Sequence, residues 1–213
     1  MLALQDTAEE ATAALAGDAH HAWIRFGAIG KALDLLHKHH VTDLVMAGRV
    51  TRPKLSSIRP DLKGAKLLAR ISAQLLSGDN ELLSSIVAFL EEEGFRVTGA
   101  EDVVRELLTP EGMIGSIYPD KRAQGDIETG ARIARAIGAL DIGQAVIIEN
   151  GLTLGVEAME GTDGLITRCA DLRRDQKGGV LVKVKKPQQE KRVDLPTIGV
   201  ATIERLAACG FAG

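Results

Sequence analysis

The sequence predicts an α/β protein built from two small domains, and three observations carry that reading. Stretches with apolar residues at helical spacing alternate with short β-rich apolar runs. The segment 109–125, TPEGMIGSIYPDKRAQG, holds two of the six prolines and three glycines and has no periodicity, so it divides the chain. In the second half, two β-rich runs, 145–148 and 152–158, are joined by Asn150-Gly151, a dipeptide suited to the positive φ angles of a tight hairpin. The expected organisation is a first α/β domain over 1–110, a linker over 111–125 and a second α/β domain over 126–213.

Each element has its own signal. Residues 2–4 read as the end of a strand and 6–22, rich in Ala and lacking an apolar stripe, as a loosely held helix or a loop. Phe26, Ile29, Leu33, Leu36 and His40 recur at helical spacing and predict a helix with one buried face. His37, His39 and His40 at its end admit a metal reading, but a helix dipole also favours histidine there. DLVMA, 43–47, predicts a short buried strand that runs into GRVTRP, 48–53. A strand that ends in a glycine loop with Arg49, Thr51 and Arg52 suits a phosphate, against the alternative of solvated arginines on a turn.

Helices follow over 61–77 and 79–93, the second with Gly78-Asp79-Asn80 as its N-cap and Gly94 as its C-cap. Residues 95–97 predict a strand and 101–108 a helix. Beyond the linker, Ile127, Ile133, Ala134 and Ile137 share one face of a helix over 126–139. The hairpin comes next, then a helix over 163–171, a strand over 180–184 and a final helix over 199–209.

Composition narrows the function classes. The 213 residues are 45% hydrophobic and 26% charged, with a formal net charge of −3, as in an ordinary globular protein. Aromatics make up 3%, so base-stacking platforms are poorly supplied, and the acidic balance disfavours a nucleic-acid backbone as main partner. Cys169 and Cys209 lie far apart without a CxxC pair and read as free thiols of a reducing compartment. Without an apolar run long enough to span a bilayer or a signal pattern, the expected location is the cytoplasm, at most peripheral to a membrane.

The chemistry concentrates in the second half. Glu157, Glu160 and Asp163 cluster after the second hairpin strand, where Gly161-Thr162-Asp163 opens a helix whose N-terminus suits an anion. Further on, KVKKPQQEKRVDLPTIG, 183–199, sets Asp194 among Lys183, Lys185, Lys186, Lys191 and Arg192. The serine-hydrolase, zinc-protease, Walker and full dinucleotide fingerprints are absent. Oxygen donors in a chain poor in Cys and His suit Mg²⁺ or Mn²⁺ and a phosphoester or pyrophosphate.

Five segments taken together, GAIGKALDLL (27–36), MAGRVTRP (46–53), GDNELLSSIVAFLEEEGFRVTGA (78–100), LDIGQAVIIENGLTLGVEAMEGTD (140–163) and GVLVKVKKPQQEKRVDLPTIG (179–199), carry a resemblance. In order and spacing they are similar to the UDP-2,3-diacylglucosamine pyrophosphatase family of lipid A biosynthesis in Gram-negative bacteria, the type unrelated to the calcineurin-like enzyme. The resemblance implies two α/β domains with a ligand cleft between them, hydrolysis of a lipid-linked sugar nucleotide to UMP and 2,3-diacylglucosamine 1-phosphate, and a need for Mg²⁺ or Mn²⁺. It implies Asp194 as the catalytic aspartate, Glu160, Asp163 and Asp194 as metal ligands, and Gly48, Arg49, Thr51, Thr162, Lys183 and Gln189 as substrate contacts. Family members often carry Asn where Arg49 stands. They also begin earlier, with a strand and a glycine-rich turn, and continue further, so both domains are expected to be incomplete at the chain's ends. A non-catalytic binder of phosphorylated amphiphiles or sugar nucleotides is the competing reading.

Overall fold

A computed structural model describes residues 1–5, 8, 10, 14, 16–17, 19–48, 58–72, 79–174 and 178–213, the side chains of Asp79 and Asn80 excepted. Arg49, Thr51 and Arg52, residues 6, 7, 9, 11–13, 15 and 18 of the 6–22 stretch, the far end of the helix expected to reach 77 and the Gly78 cap lie outside the described residues. The chain forms two compact units, Met1–Leu107 and Leu108–Gly213, both mixing helices with short strands. Among the described residues no helix is long and apolar enough to cross a membrane.

The first unit holds two parallel strand pairs. β1 (Leu2–Leu4) pairs with β2 (Ala22–Ile24), and β3 (Asp43–Val45) pairs with β4 (Arg96–Thr98). Helices α1 (Ile29–Lys38), α2 (Leu62–Ile71) and α3 (Asp79–Glu92) supply most of its core, in which Leu33, Leu67, Ile71, Phe89 and Phe95 are buried together. Asp61 caps α2 by accepting from Gly64 N at 2.8 Å and also receives Lys31 N of α1 at 3.2 Å, so one carboxylate ties two helix starts. Gly94, at φ +95°, ends α3 as expected, and the chain turns into β4.

Two expectations change here. The strand expected to be buried over 43–47 is short and largely exposed, with Asp43 and Val45 open to solvent, because their side chains face away from the strand pair's apolar neighbours. The helix expected over 101–108 breaks into α4 (Ala100–Val103) and a 3₁₀ turn, Arg105–Leu107, since none of its residues is buried to reward a longer helix. Of the histidines, His37 stacks on Phe95 with ring centroids 4.9 Å apart, His39 lies against His20, and His40 ends α1 at φ 52°.

The second unit is a three-layer sandwich around one short sheet. α5 (Lys121–Ala139) begins within the segment read as a linker, capped by Asp120, which accepts from Ala123 N at 2.8 Å. Gly125 inside this helix hid its first turns from a periodicity argument. β5 (Ala145–Glu149) runs in the middle, antiparallel to β6 (Leu152–Val156) on one side and to β7 (Val180–Lys183) on the other. Its pleat sorts the apolar run by parity. Val146 and Ile148 pack with Ala134 of α5 and with Val180 and Val182. Ala145 and Ile147 pack with Leu165, Ile166 and Cys169 of α6 (Gly161–Ala170), Leu206 of α7 (Val200–Ala208) and Phe211. Covered on both faces, β5 can be apolar from Ala145 to Ile148, which is why the sequence shows a continuous run there rather than alternation, and its last residue, the buried Glu149, accepts from Arg174 N at 2.8 Å.

The hairpin forms as Asn150-Gly151 requires, with φ of 53° and 78° at the two turn residues. An acid far away in sequence completes it. Asp126 of α5, 4% exposed, accepts from Asn150 N at 2.8 Å and Gly151 N at 2.6 Å. α5 lies close to the sheet because position 130 is glycine, where a Cβ would stand 2.6 Å from Val182 Cγ2.

Candidate active site

Because β5 is antiparallel to both neighbours, one end of the sheet gathers the start of β5 and the carboxyl ends of β6 and β7. Gln144, Glu157 and Lys183 stand there. The ladder continues past the strands: Glu157 N donates to Ala145 O at 2.8 Å and Val184 N to Gln144 O at 2.9 Å. Gly143 lets the loop before β5 pass against β6, since a Cβ on it would lie 2.1 Å from Glu157 O.

Glu157 is 6% exposed and doubly bonded. Its Oε2 accepts from Gln144 N at 2.9 Å and its Oε1 from the Thr162 hydroxyl at 2.6 Å. Lys183 Nζ donates to Thr162 Oγ1 at 3.0 Å and to Thr197 O at 2.9 Å, so this ammonium links the first turn of α6 to the DLPTIG loop. A lysine has three donors, which leaves one for a ligand oxygen. Beside it, the N-terminus of α6 begins at Gly161, and its cap residue Glu160 makes no side-chain bond to the helix amides. A helix start next to an ammonium favours an anion.

Asp194 joins the same end from the loop after β7. Its Oδ2 accepts from Gln189 Nε2 at 2.6 Å, and Asp194 N donates to Glu190 O at 3.0 Å. Gln189 Nε2 also lies 3.5 Å from Gln144 Oε1, so Gln144 touches both branches, through its backbone to Glu157 and its side chain to Gln189. The loop is tied to the end of α5 by Lys186 Nζ on Asp141 Oδ1 at 2.6 Å and by Gln188 Nε2 on Gly138 O at 2.8 Å. Within the loop, Arg192 grips Glu190 through Nε at 2.9 Å, and this pairing holds the Glu190 carboxyl below its ordinary range.

Four residues expected on sequence grounds, Thr162, Lys183, Gln189 and Asp194, are therefore brought into one hydrogen-bonded network. Glu160 and Asp163 sit at its edge and are engaged elsewhere. Arg168 donates to Glu160 Oε1 at 2.7 Å, which depresses the Glu160 pKa, and to Val156 O at 3.0 Å. Asp163 pairs with Arg205 at 3.6 Å on the surface. Among the described residues no three His, Cys, Asp or Glu side chains come together as a metal-binding group, so Glu160, Asp163 and Asp194 form no ready cage. Gly48 is described, exposed and at φ +99°, in the first unit. The network adds Gln144 and the buried bonds of Glu157, which sequence spacing did not single out as contacts.

Comparison with known proteins bears on the whole chain. Residues 1–107 match the LpxI N-terminal domain and residues 110–213 the LpxI C-terminal domain. The chain belongs to the LpxI family. It is also similar to UDP-2,3-diacylglucosamine pyrophosphatase LpxI of Caulobacter vibrioides, 42% identical over 196 residues, which cover 89% of this chain and 70% of that protein. The family resemblance read from the five segments is thus shown, and the network at the sheet end belongs to the LpxI C-terminal domain.

Proposed function

We propose that this protein hydrolyses the pyrophosphate bond of UDP-2,3-diacylglucosamine, releasing UMP and 2,3-diacylglucosamine 1-phosphate. Two things support the reading: family membership over both domains, and the hydrogen-bonded network that links Lys183 and Thr162, at a helix N-terminus, through Glu157, Gln144 and Gln189 to Asp194 at one end of the sheet. The second is the observation that carries the chemistry. A pyrophosphate needs positive charge where negative charge develops and a carboxylate near the reacting water. Lys183 and the first amides of α6 supply the former, and Asp194 the latter.

The lysine is held for this task. Two of its donors are anchored, so its ammonium is pre-oriented, and the hydroxyl it rests on is itself fixed by the buried Glu157. Asp194 takes its side-chain bond from an uncharged amide, and among the described residues no cation pairs with it.

A divalent ion, Mg²⁺ or Mn²⁺, is part of the proposal. Such ions are commonly held by one or two carboxylates with substrate phosphates and water completing the shell, rather than by an all-protein cage. Asp194 fits that pattern better than Glu160 or Asp163, each of which already serves an arginine. Bound there, the ion would neutralise phosphate charge and acidify a water.

The test is UMP release from UDP-2,3-diacylglucosamine with Mg²⁺, repeated with EDTA. Release that stops on chelation and returns with added Mg²⁺ supports the reading. Absence of UMP under every divalent ion, with lipid substrate still retained by the folded protein, would favour a binding protein instead.

A further inference from the structure

Gln189 is one of four buried polar side chains among the described residues, at 4% exposure, and both ends of its amide are taken by the protein. Its Oε1 accepts from Lys186 N at 3.0 Å, and its Nε2 donates to Asp194 Oδ2 at 2.6 Å and lies 3.5 Å from Gln144 Oε1. The backbone it leans on is anchored in turn, because Lys186 pairs with Asp141 at 2.6 Å and both side chains are largely withdrawn from water. A strut runs from the end of α5 through Lys186 and Gln189 to Asp194.

We propose that Gln189 is a positioning residue for Asp194 rather than a contact for the substrate. The inference rests on the reading of Asp194 as the catalytic carboxylate. An aspartate χ2 is soft, and its two oxygens exchange freely unless something distinguishes them. Gln189 distinguishes them by occupying Oδ2, which leaves Oδ1 to face the reacting groups. An amide does this without compensating the charge, as a lysine or arginine would. Both of its donors point at protein acceptors and its carbonyl oxygen takes a backbone N–H, so little of the amide is left to recognise a phosphate or a sugar.

The isosteric substitution Gln189→Glu gives a signature that a packing role would not. Ionised, the introduced carboxyl would set a second negative charge against Asp194 and push it from its seat. Protonated, its O–H can donate to Oδ2 while the other oxygen keeps the Lys186 N–H. Turnover by the variant should therefore recover as pH falls, over a range in which wild type does not gain.

The experiment compares wild type, Gln189→Ala, Gln189→Glu and Asp194→Ala as full chains. In the UMP-release assay, Gln189→Ala should lower kcat roughly 10- to 100-fold, as expected for a displaced catalytic group, with KM changed less than about twofold. Gln189→Glu should show the acid-shifted profile. A raised KM at unchanged kcat, or a Gln189→Glu profile of wild-type shape, would overturn the proposal. A second readout needs no turnover: in ¹H–¹⁵N spectra the Gln189 side-chain NH₂ should be slow to exchange with solvent and should shift strongly in Asp194→Ala, while that of the exposed Gln124 stays put. A Gln189 signal indifferent to Asp194→Ala would overturn it, even if Gln189→Ala fails to fold. Wild type that releases no UMP would count against the proposed function alone, because the spectrum still decides the strut.

Discussion

The turn end of the second unit's sheet holds the buried carboxylates Asp126 and Glu149 and the opposite end holds Glu157, and the fold uses Asp126 and Glu157 differently. At the turn end, Asp126 spends both oxygens on the backbone N–H groups of Asn150 and Gly151. Among the described residues no further bond leads outward from it, so it closes the hairpin and stops there. At the other end, Glu157 spends one oxygen on a backbone N–H and the other on the Thr162 hydroxyl, which carries Lys183, which reaches the DLPTIG loop. The contrast teaches that burial of an acid does not mark a site. What marks one is whether its partners end in a charge that a ligand can still use.

The comparison can be broken by swapping the expected consequences. Lys183→Met should reduce UMP release by about 10²-fold or more while the melting temperature stays within a few degrees, since a lost transition-state cation costs several kcal/mol of barrier but little folding energy. Equal loss of stability and activity would mean that Lys183 is structural like Asp126. Asp126→Ala should do the reverse. It leaves two turn N–H groups poorly satisfied, at about 1–3 kcal/mol, visible as a lower urea midpoint with near-normal turnover per folded molecule. Gly143→Ala tests the join between the two behaviours, because its Cβ would collide with Glu157 O, and both stability and kcat should fall, read from the same two assays.

The smallest effect is expected at Glu160, on the rim of the open end. Its pairing with Arg168 lowers its pKa, so the pair's contribution is complete above the unfolded value of about 4.3 and fades as pH falls through the lower folded value. Both side chains are substantially exposed, and solvent screening keeps the worth of the pair to about 0.5 kcal/mol. Glu160→Gln should shift the urea midpoint slightly at pH 7 and not at pH 3. A large loss of turnover in this variant would return Glu160 to the centre of the site.

Much of this contrast was legible in the sequence, but unevenly. Asn150-Gly151 announces its turn because positive φ at two successive residues is a local demand that few residue pairs meet. Asp126 gave no such notice, since its partners lie 24 and 25 residues away and only the packing of α5 on the sheet brings them near. The same holds for Gln144, whose role depends on β5 lying between β6 and β7. The start of α5 was hidden by Gly125 and by the prolines before it, which imitate a linker although Asp120 caps a helix there. Asp194 stood out among cations, yet its weight came from the resemblance of DLPTIG to a family segment, not from its chemistry. Gln189 was legible as a polar residue near charges, and only its burial shows that its amide is occupied by the protein.

Substitution of Asp194 tests the central claim most directly. UMP release from UDP-2,3-diacylglucosamine by Asp194→Ala, measured with Mg²⁺ beside wild type, should fall by at least about 10³-fold while cooperative thermal unfolding persists, as expected when a group acting on the reacting atoms is removed. Turnover within a few-fold of wild type in the folded variant would contradict the account.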